Sequence, residues 1–198
     1  MAYRLEPRGR KTLTVGLFRA SPLLLLLTSL PGGMPVVQAY TLDTCTDYHC
    51  DTIVPVTLSD AEWGQVKQLF RDVDSAELER ERIARAIGLL EHLVGPKNGT
   101  GVDRGKNPAD VVPRGQLDCI AESSNSTTYL RQLEAAGLLR WHRVDERAVR
   151  HRWLFATHWT AVIRDREGLE YAVDSWYRDN GEPAIVLPLE AWYKGEER

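Results

Sequence analysis

Three residues in the second half of the chain have side chains that could act together in nucleophilic catalysis: Cys119, His158 and Asp174. A cysteine attacks a carbonyl group as its thiolate, and both a neighbouring imidazolium and the positive end of a helix dipole favour that form. A carboxylate that accepts a hydrogen bond from the imidazole orients the ring and stabilises its protonated form. These residue types are therefore candidates for a thiol hydrolase, provided that the fold brings them together.

The segments that carry His158 and Asp174 are predicted to form a β-hairpin. Tryptophans and β-branched residues are frequent in the last third of the chain, where four strands are predicted: 139–144, 157–164, 169–176 and 184–187. The linking residues Asp165–Gly168 suit a type I turn that is closed by a glycine in the left-handed region. This loop pairs Thr160 with Asp174, so His158 and Asp174 lie on one face of the sheet as diagonal neighbours.

Cys119 precedes a segment that is predicted to become a helix. Its later part carries apolar residues at helical spacing: Tyr129, Leu130, Leu133 and Leu138. The first part, Ser123–Thr128, has poor helix propensity, so a helix there requires tertiary contacts. The polar run Ser123–Ser126 is expected either to line a cleft or to form a solvated helix face. A cysteine at the start of this helix would lie at the positive end of the dipole.

Two further helices are predicted before the cysteine. Ser59 and Glu62 have the spacing of a capping box for a helix that ends near Phe70. A second helix begins near Ser75, and one apolar stripe runs along it: Ile83, Ile87, Leu90 and Val94. His92 lies off this stripe and is expected to be solvated. Residues 40–57 are predicted to be extended and loop-like, and residues 95–115 are predicted to form a long loop.

The order of three motifs resembles a known enzyme family. The motifs are Asp118-Cys119, His158-Trp159-Thr160-Ala161-Val162 and Val173-Asp174-Ser175-Trp176. They are similar to those of the transglutaminase-like branch of the papain-like thiol enzymes, most closely the bacterial transglutaminase-like cysteine proteinases, which are exported. The resemblance implies an α+β fold with a papain/transglutaminase-like core, in which N-terminal helices and a cysteine-bearing helix pack on an antiparallel sheet.

The resemblance also implies a mechanism and a set of site residues. Cys119 would attack an amide or peptide bond, His158 would move the proton and Asp174 would hold His158, and the acyl-enzyme would pass to water or to an amine. The backbone N–H of Cys119 is the expected first oxyanion donor, and the side-chain amide of Gln116 is a candidate second donor. Asp179 is the alternative to Asp174 as the third residue.

The residues that follow Cys119 differ from those of the bacterial proteinases. These enzymes tend to have further acidic residues directly after the cysteine, and those residues are associated with calcium. Here Ile120 and Ala121 follow, and Glu122 is the nearest carboxylate after the cysteine. We therefore expect neither a metal ion nor another cofactor.

The other two cysteines, Cys45 and Cys50, are five positions apart. They can form a disulfide in an oxidising compartment, which leaves Cys119 as a free thiol. Zinc binding by Cys45, His49 and Cys50 is the alternative, although this cluster has no obvious fourth ligand.

Two other histidines, His142 and His151, are the rival candidates for a general base. Both have arginines close in the sequence: Arg140, Arg143, Arg150 and Arg152. Positive neighbours disfavour the imidazolium form, and no carboxylate lies at a fixed spacing. Both histidines are therefore expected to lie at the surface.

The first 39 residues are predicted to be a signal peptide. Basic residues precede a short apolar stretch, Pro22–Leu30, and Val37-Gln38-Ala39 has the spacing that signal peptidases accept. No segment of the chain has the length of a comfortable membrane span. We expect cleavage after Ala39, a single mature domain over 40–198, a periplasmic or secreted location and no stable membrane insertion after cleavage.

Composition limits the classes of partner. The chain of 198 residues is 43% apolar and 27% charged, with a formal net charge of −3, and its sequence pI is near 6.0. This balance is typical of a globular domain and provides no net basic field for nucleic acid. The expected partner is a protein or peptide substrate. The alternative is a non-catalytic binding or assembly module that keeps the fold, with Cys119 buried and the tryptophans as a contact surface; the oligomeric state stays open.

Overall fold

The computed structural model describes residues 40–107, 114–152 and 156–197. The helices in these ranges are α1 (Asp60–Leu69), α2 (Ala76–Asn98), α3 (Cys119–Ala135) and α4 (Leu189–Tyr193). The strands are β1 (Tyr40–Cys45), β2 (Ile53–Leu58), β3 (His142–Arg152), β4 (Ala156–Asp165), β5 (Glu170–Asp174) and β6 (Ile185–Pro188), and a short 3-10 turn covers Tyr48–Cys50. The predicted α+β class is confirmed. The predicted signal peptide, 1–39, lies outside the described residues.

The first two strands form a hairpin in a segment that was expected to be loop-like. β1 and β2 pair antiparallel along their full length. Leu42, Thr44, Val56 and Leu58 are buried and alternate with exposed residues. This two-residue period is the pattern of a strand with one face in the core. The extended conformation predicted for 40–57 is therefore confirmed, and its loop-like character is wrong because the two strands pair.

The two helices before the cysteine begin at their predicted caps. Ser59 and Glu62 form the complete capping box of α1. The Ser75 side chain accepts a hydrogen bond from the backbone N–H of Leu78 at the start of α2 (3.2 Å). The predicted apolar stripe of α2 is fully buried, and His92 is exposed, as predicted.

Helix α2 is longer than predicted and passes through Gly95 and Pro96. A Cβ atom at Gly95 would lie 2.7 Å from the Cα of Gly101, so glycine permits the close approach of the following loop. The helix ends at Gly99, which adopts a left-handed conformation (φ 89°) and donates its N–H to the Gly95 carbonyl. The predicted loop therefore begins at Gly99, and its central part, 108–113, lies outside the described residues.

The remaining strands form one antiparallel sheet in the order β3-β4-β5-β6. Arg164 pairs with Glu170 and Ala161 with Val173, which is the predicted register of the β4–β5 hairpin. Gly168 closes the turn with a φ of 89°. The other two predicted strands are present as well, although β3 begins at residue 142 rather than 139 and continues to residue 152.

The four-stranded sheet is covered on both faces. On one face α2 and α3 pack against side chains such as Ile163 and Val173. On the other face Trp192 of α4 packs with Val162 and Ala172. Alternate side chains of a strand point to opposite faces, so even-numbered residues of β4 and β5 share the face that Trp192 covers. Within the described ranges, no helix is long and apolar enough to cross a membrane.

Candidate active site

Cys119 is the first residue of α3, as predicted, and its helix begins with a strong cap. The side chain of Asp118 accepts a hydrogen bond from the N–H of Ala121 (2.9 Å). Its second oxygen accepts from the backbone N–H of His49 (3.1 Å) and lies 3.0 Å from the Nδ1 of the same residue. The thiol therefore lies where the N–H groups of the first helical turn and the helix dipole favour a negative charge.

The polar segment that follows Cys119 is helical because its side chains make tertiary hydrogen bonds. Asn125 accepts from the backbone N–H of Cys45 (2.7 Å) and donates to the carbonyl of the same residue (3.1 Å). The hydroxyls of Ser126 and Ser175 are 3.1 Å apart. Ser123, Asn125, Ser126 and Thr127 are all buried. The expectation that this run forms a solvated helix face is therefore wrong, and the alternative, that it lines a cleft, stays a prediction.

His158 and Asp174 are in direct contact. The Nε2 of His158 donates to the Oδ2 of Asp174 at 2.7 Å, and the Asp174 side chain is only 2% exposed. The hairpin register accounts for this contact, because it makes the two residues diagonal neighbours on one face.

The thiol of Cys119 approaches the same ring. Its Sγ lies 3.8 Å from the carbonyl oxygen of Thr157, the residue before His158. Burial disfavours a charged ring, but the hydrogen bond to Asp174 and the electrostatic attraction of Asp174 and Cys119 outweigh it and raise the pKa of His158 from 6.5 to about 9. Because Nε2 is bonded to Asp174, Nδ1 is the ring nitrogen that remains for the thiol. The structure therefore brings together the three residues that the sequence singled out.

Three aromatic side chains surround the imidazole of His158. The ring centroids of Trp176, Tyr177 and Trp192 lie 5.0, 5.2 and 5.7 Å from the centroid of His158. Trp192 also donates its indole N–H to the Oδ2 of Asp174 (2.8 Å). These rings limit the access of water to the His158–Asp174 hydrogen bond, which strengthens it.

A buried arginine, Arg150, supports this aromatic group. It lies opposite His158 in the β3–β4 ladder and stacks over the ring of Trp192, 4.5 Å from the ring centroid. Its guanidinium donates to the hydroxyl of Tyr177 (2.6 Å) and to the carbonyl of Trp192. Burial raises the pKa of Tyr177 to about 12 despite the positive charge of Arg150, so the phenol stays neutral and accepts this hydrogen bond. In the sequence, no motif or spacing distinguishes Arg150 from the neighbouring arginines.

Gln116 and Asp179 hydrogen-bond to the loop that follows α2 and not to the imidazole of His158. Gln116 donates to the carbonyl of Val102 (2.7 Å) and accepts from the N–H of Arg104 (3.1 Å), so its amide holds the loop that follows α2. Asp179 accepts from the side chain of Arg104 (2.6 Å) and from the N–H of Gly105 (3.0 Å). The two candidates named from sequence, an oxyanion donor and an alternative third residue, thus serve to fix one loop.

The two rival histidines differ from each other. His151 is exposed, as predicted, and lies beside the hydroxyl of Thr157 (3.2 Å). His142 is buried, so its prediction is wrong: its Nδ1 is 3.0 Å from Glu79, a fully buried carboxylate of α2. Burial alone would raise the pKa of Glu79, but His142 and three backbone N–H groups hold it below its usual value. The sequence contained no signal for this pair, because the partners lie 63 residues apart.

Cys45 and Cys50 form a disulfide and Cys119 is free, as predicted. The disulfide uses both sulfurs of the alternative zinc cluster, and the ring of His49 pairs with Asp118 instead. Across the described ranges, no group of three or more His, Cys, Asp or Glu residues is arranged to hold a metal ion.

Comparison of the chain with protein-family models, with curated proteins and with solved structures finds no match. The family resemblance therefore rests on the motif residues themselves.

Proposed function

We propose that the chain is a secreted thiol hydrolase that cleaves an amide or peptide bond through Cys119, His158 and Asp174. The observation that carries the proposal is the position of the His158 ring, which donates to Asp174 at 2.7 Å and lies beside the thiol at the start of α3, whose Sγ is 3.8 Å from the carbonyl oxygen of the preceding residue, Thr157. A paired thiolate and imidazolium is the reactive form of a catalytic cysteine.

The residues would act in a fixed order. The Cys119 thiolate adds to the substrate carbonyl, and the backbone N–H of Cys119 donates a hydrogen bond to the oxyanion. His158 then gives its proton to the leaving amine, and the carbon–nitrogen bond breaks to leave a thioester on Cys119. Neutral His158 next takes a proton from water, which attacks the thioester, releases the acid and restores the thiol. An amine that attacks in place of water would give acyl transfer from the same intermediate.

The proposal extends to family and location. A cysteine at the N-terminus of a helix, with a histidine and an aspartate on neighbouring strands of one sheet, supports a papain/transglutaminase-like core. The basic and apolar leader over 1–39 and the Cys45–Cys50 disulfide support export to the periplasm or the medium. Mature protein recovered from a secreting host should then begin at Tyr40, as N-terminal sequencing would show.

The test is the reactivity of Cys119 at mildly acidic pH. Iodoacetamide at pH 6, followed by peptide mass spectrometry, should label Cys119 rapidly in the wild type and at least tenfold more slowly in His158→Ala. His92→Ala changes an exposed histidine and is the matched control. A fluorogenic peptide library then reports turnover, which Cys119→Ala should abolish. Equal labelling rates in the wild type and His158→Ala would overturn the proposal and favour the non-catalytic binding or assembly module.

A further inference from the structure

Three carboxyl groups are buried together next to the candidate active site. They are Glu91 of α2, Asp103 of the following loop and Glu122 of α3, with exposed fractions of 6, 4 and 5%. We call this group the carboxyl cluster. The mechanism proposed above uses none of the three residues.

The hydrogen bonds described for the cluster come from neutral donors. Glu122 accepts from the hydroxyl of Ser175 at 2.5 Å. Asp103 accepts from the N–H of Leu117 and from the amide of Asn107, both at 2.9 Å. A backbone N–H, that of Gly181, lies 3.4 Å from a Glu91 oxygen. No cationic donor is among the contacts described for these carboxyl groups, so protonation is the form of neutralisation that the described residues favour.

The three carboxyl groups also influence each other. Glu122 interacts electrostatically with both Asp103 and Glu91, and carboxyl groups that share a buried site favour the protonated form of at least one of them. Burial raises the pKa of Glu122 well above its usual value, raises that of Asp103 and brings that of Glu91 to about 8. The titratable side chains that face the cluster, Tyr129 of α3 and Tyr48, have raised pKa values and stay neutral.

The cluster connects the segments that carry the site residues. Glu122 lies one helical turn after Cys119, and its partner Ser175 directly follows Asp174. Asp103 holds the N–H of Leu117, two residues before Cys119. The cluster therefore ties the start of α3 to the end of β5, where the thiol and the carboxylate must meet the imidazole.

We infer that protonated Glu122 is a positioning residue that holds the Cys119 helix against the Asp174 strand, and that this tie weakens when the carboxyl cluster loses its protons at alkaline pH. The effect on reactivity rests on the proposed function, whereas the effect on stability does not. Ionisation would leave two or three buried negative charges close together, and their repulsion and desolvation would loosen the contact between α3 and β5.

Glu122→Gln tests the inference, because an amide keeps a hydrogen-bond acceptor and donor but cannot ionise. Thermal unfolding and the iodoacetamide rate at Cys119 are measured from pH 5 to 9.5 in the wild type, Glu122→Gln and Glu122→Ala. The wild type should lose stability as pH rises through about 8, since a raised carboxyl pKa favours the folded state most at low pH. Glu122→Gln should fold at pH 6 and lose less stability than the wild type between pH 5 and 9.5. Glu122→Ala should label several-fold more slowly even at pH 6.

Glu146→Gln, at an exposed glutamate, is the matched control and should follow the wild type throughout. Parallel pH profiles for the wild type and Glu122→Gln would overturn the inference, as would a Glu122→Gln protein that does not fold at pH 6. Midpoints that rise with calcium chloride and fall with EDTA would overturn it too, because a cation would then neutralise the cluster. An unreactive Cys119 in the wild type would refute the proposed function, while the unfolding profiles would still decide the role of the cluster.

Discussion

Trp192 donates its indole N–H to the same oxygen of Asp174 that accepts the hydrogen bond of His158. The two donors lie 2.8 and 2.7 Å from that oxygen, and both Trp192 and Asp174 are buried. The carboxylate is therefore held by a helix that contributes no candidate catalytic residue. Arg150 stacks on the indole and donates a hydrogen bond to the backbone carbonyl of Trp192. The imidazole is therefore supported by Asp174, Asp174 by Trp192, and Trp192 by Arg150.

Replacement of Trp192 by Phe should reduce the reactivity of Cys119. The phenyl ring fills most of the indole volume, but Asp174 loses one charge-assisted hydrogen bond, an interaction worth about 1.5 to 3 kcal/mol. We expect the iodoacetamide rate of Cys119 at pH 6 to fall roughly tenfold. Trp141→Phe, at a tryptophan that stacks with Arg166, is the control and should label at the wild-type rate. Equal rates in the two variants would contradict a role for the indole N–H.

Asp174→Asn should change how stability depends on pH. The pKa of His158 is raised from 6.5 to about 9, so its ion pair contributes fully below pH 6.5 and is lost as pH rises through 9. Without the carboxylate this contribution disappears. The difference in unfolding free energy between the wild type and Asp174→Asn, measured with urea, should therefore be largest at pH 6 and shrink toward pH 9.5. A difference that does not vary with pH would contradict the ion pair.

Glu79 should matter for folding and not for the candidate site. Its carboxylate is fully buried and accepts from three consecutive backbone N–H groups, of Arg140, Trp141 and His142. Glu79→Ala leaves these donors without a partner and should lower the unfolding free energy by about 3 to 5 kcal/mol. His151→Ala, at an exposed histidine, should change it by less than about 0.5 kcal/mol. Urea titration of both variants makes the comparison, and similar losses would contradict the assignment.

Loss of the disulfide should affect both stability and the thiol. A cross-link that closes so short a loop contributes about 2 kcal/mol in the chain-entropy model, so Cys45→Ser with Cys50→Ser should unfold at correspondingly lower urea. The backbone of Cys45 binds Asn125, and His49 binds Asp118, so Cys119 should also be alkylated more slowly. In the unfolded wild type without reductant, intact mass should show one label. Three labels would contradict the disulfide.

The hairpin shows how far local sequence rules reach. The turn residues Asp165–Gly168 and the period of two along the strands define the β4–β5 register, and the contact between His158 and Asp174 follows from it. The caps at Ser59 and Ser75 are equally local, since each involves a partner three residues away. These features were predictable because the interacting residues are close in sequence or are related by one turn.

The remainder of the site depends on contacts between distant segments. Trp192 meets Asp174 only because α4 folds over the sheet, and Glu79 meets His142 only because α2 packs beside β3. The buried serines of α3 have poor helix propensity. The hydroxyl of Ser126 finds its hydrogen-bond partner in Ser175, 49 residues away. No periodicity in the sequence indicates such pairs. The candidate catalytic residues were therefore predictable from the sequence, whereas the side chains that position them were not.

The position of α4 in the chain has a consequence for biosynthesis. A ribosome delivers Cys119, His158 and Asp174 before Trp192, so a nascent chain contains the thiol, the base and the carboxylate before it contains the indole that orients the carboxylate. The nascent protein therefore passes through a stage in which the three candidate catalytic residues are present but Trp192 does not yet hold Asp174. Docking of a helix of five residues, Leu189–Tyr193, completes the assembly.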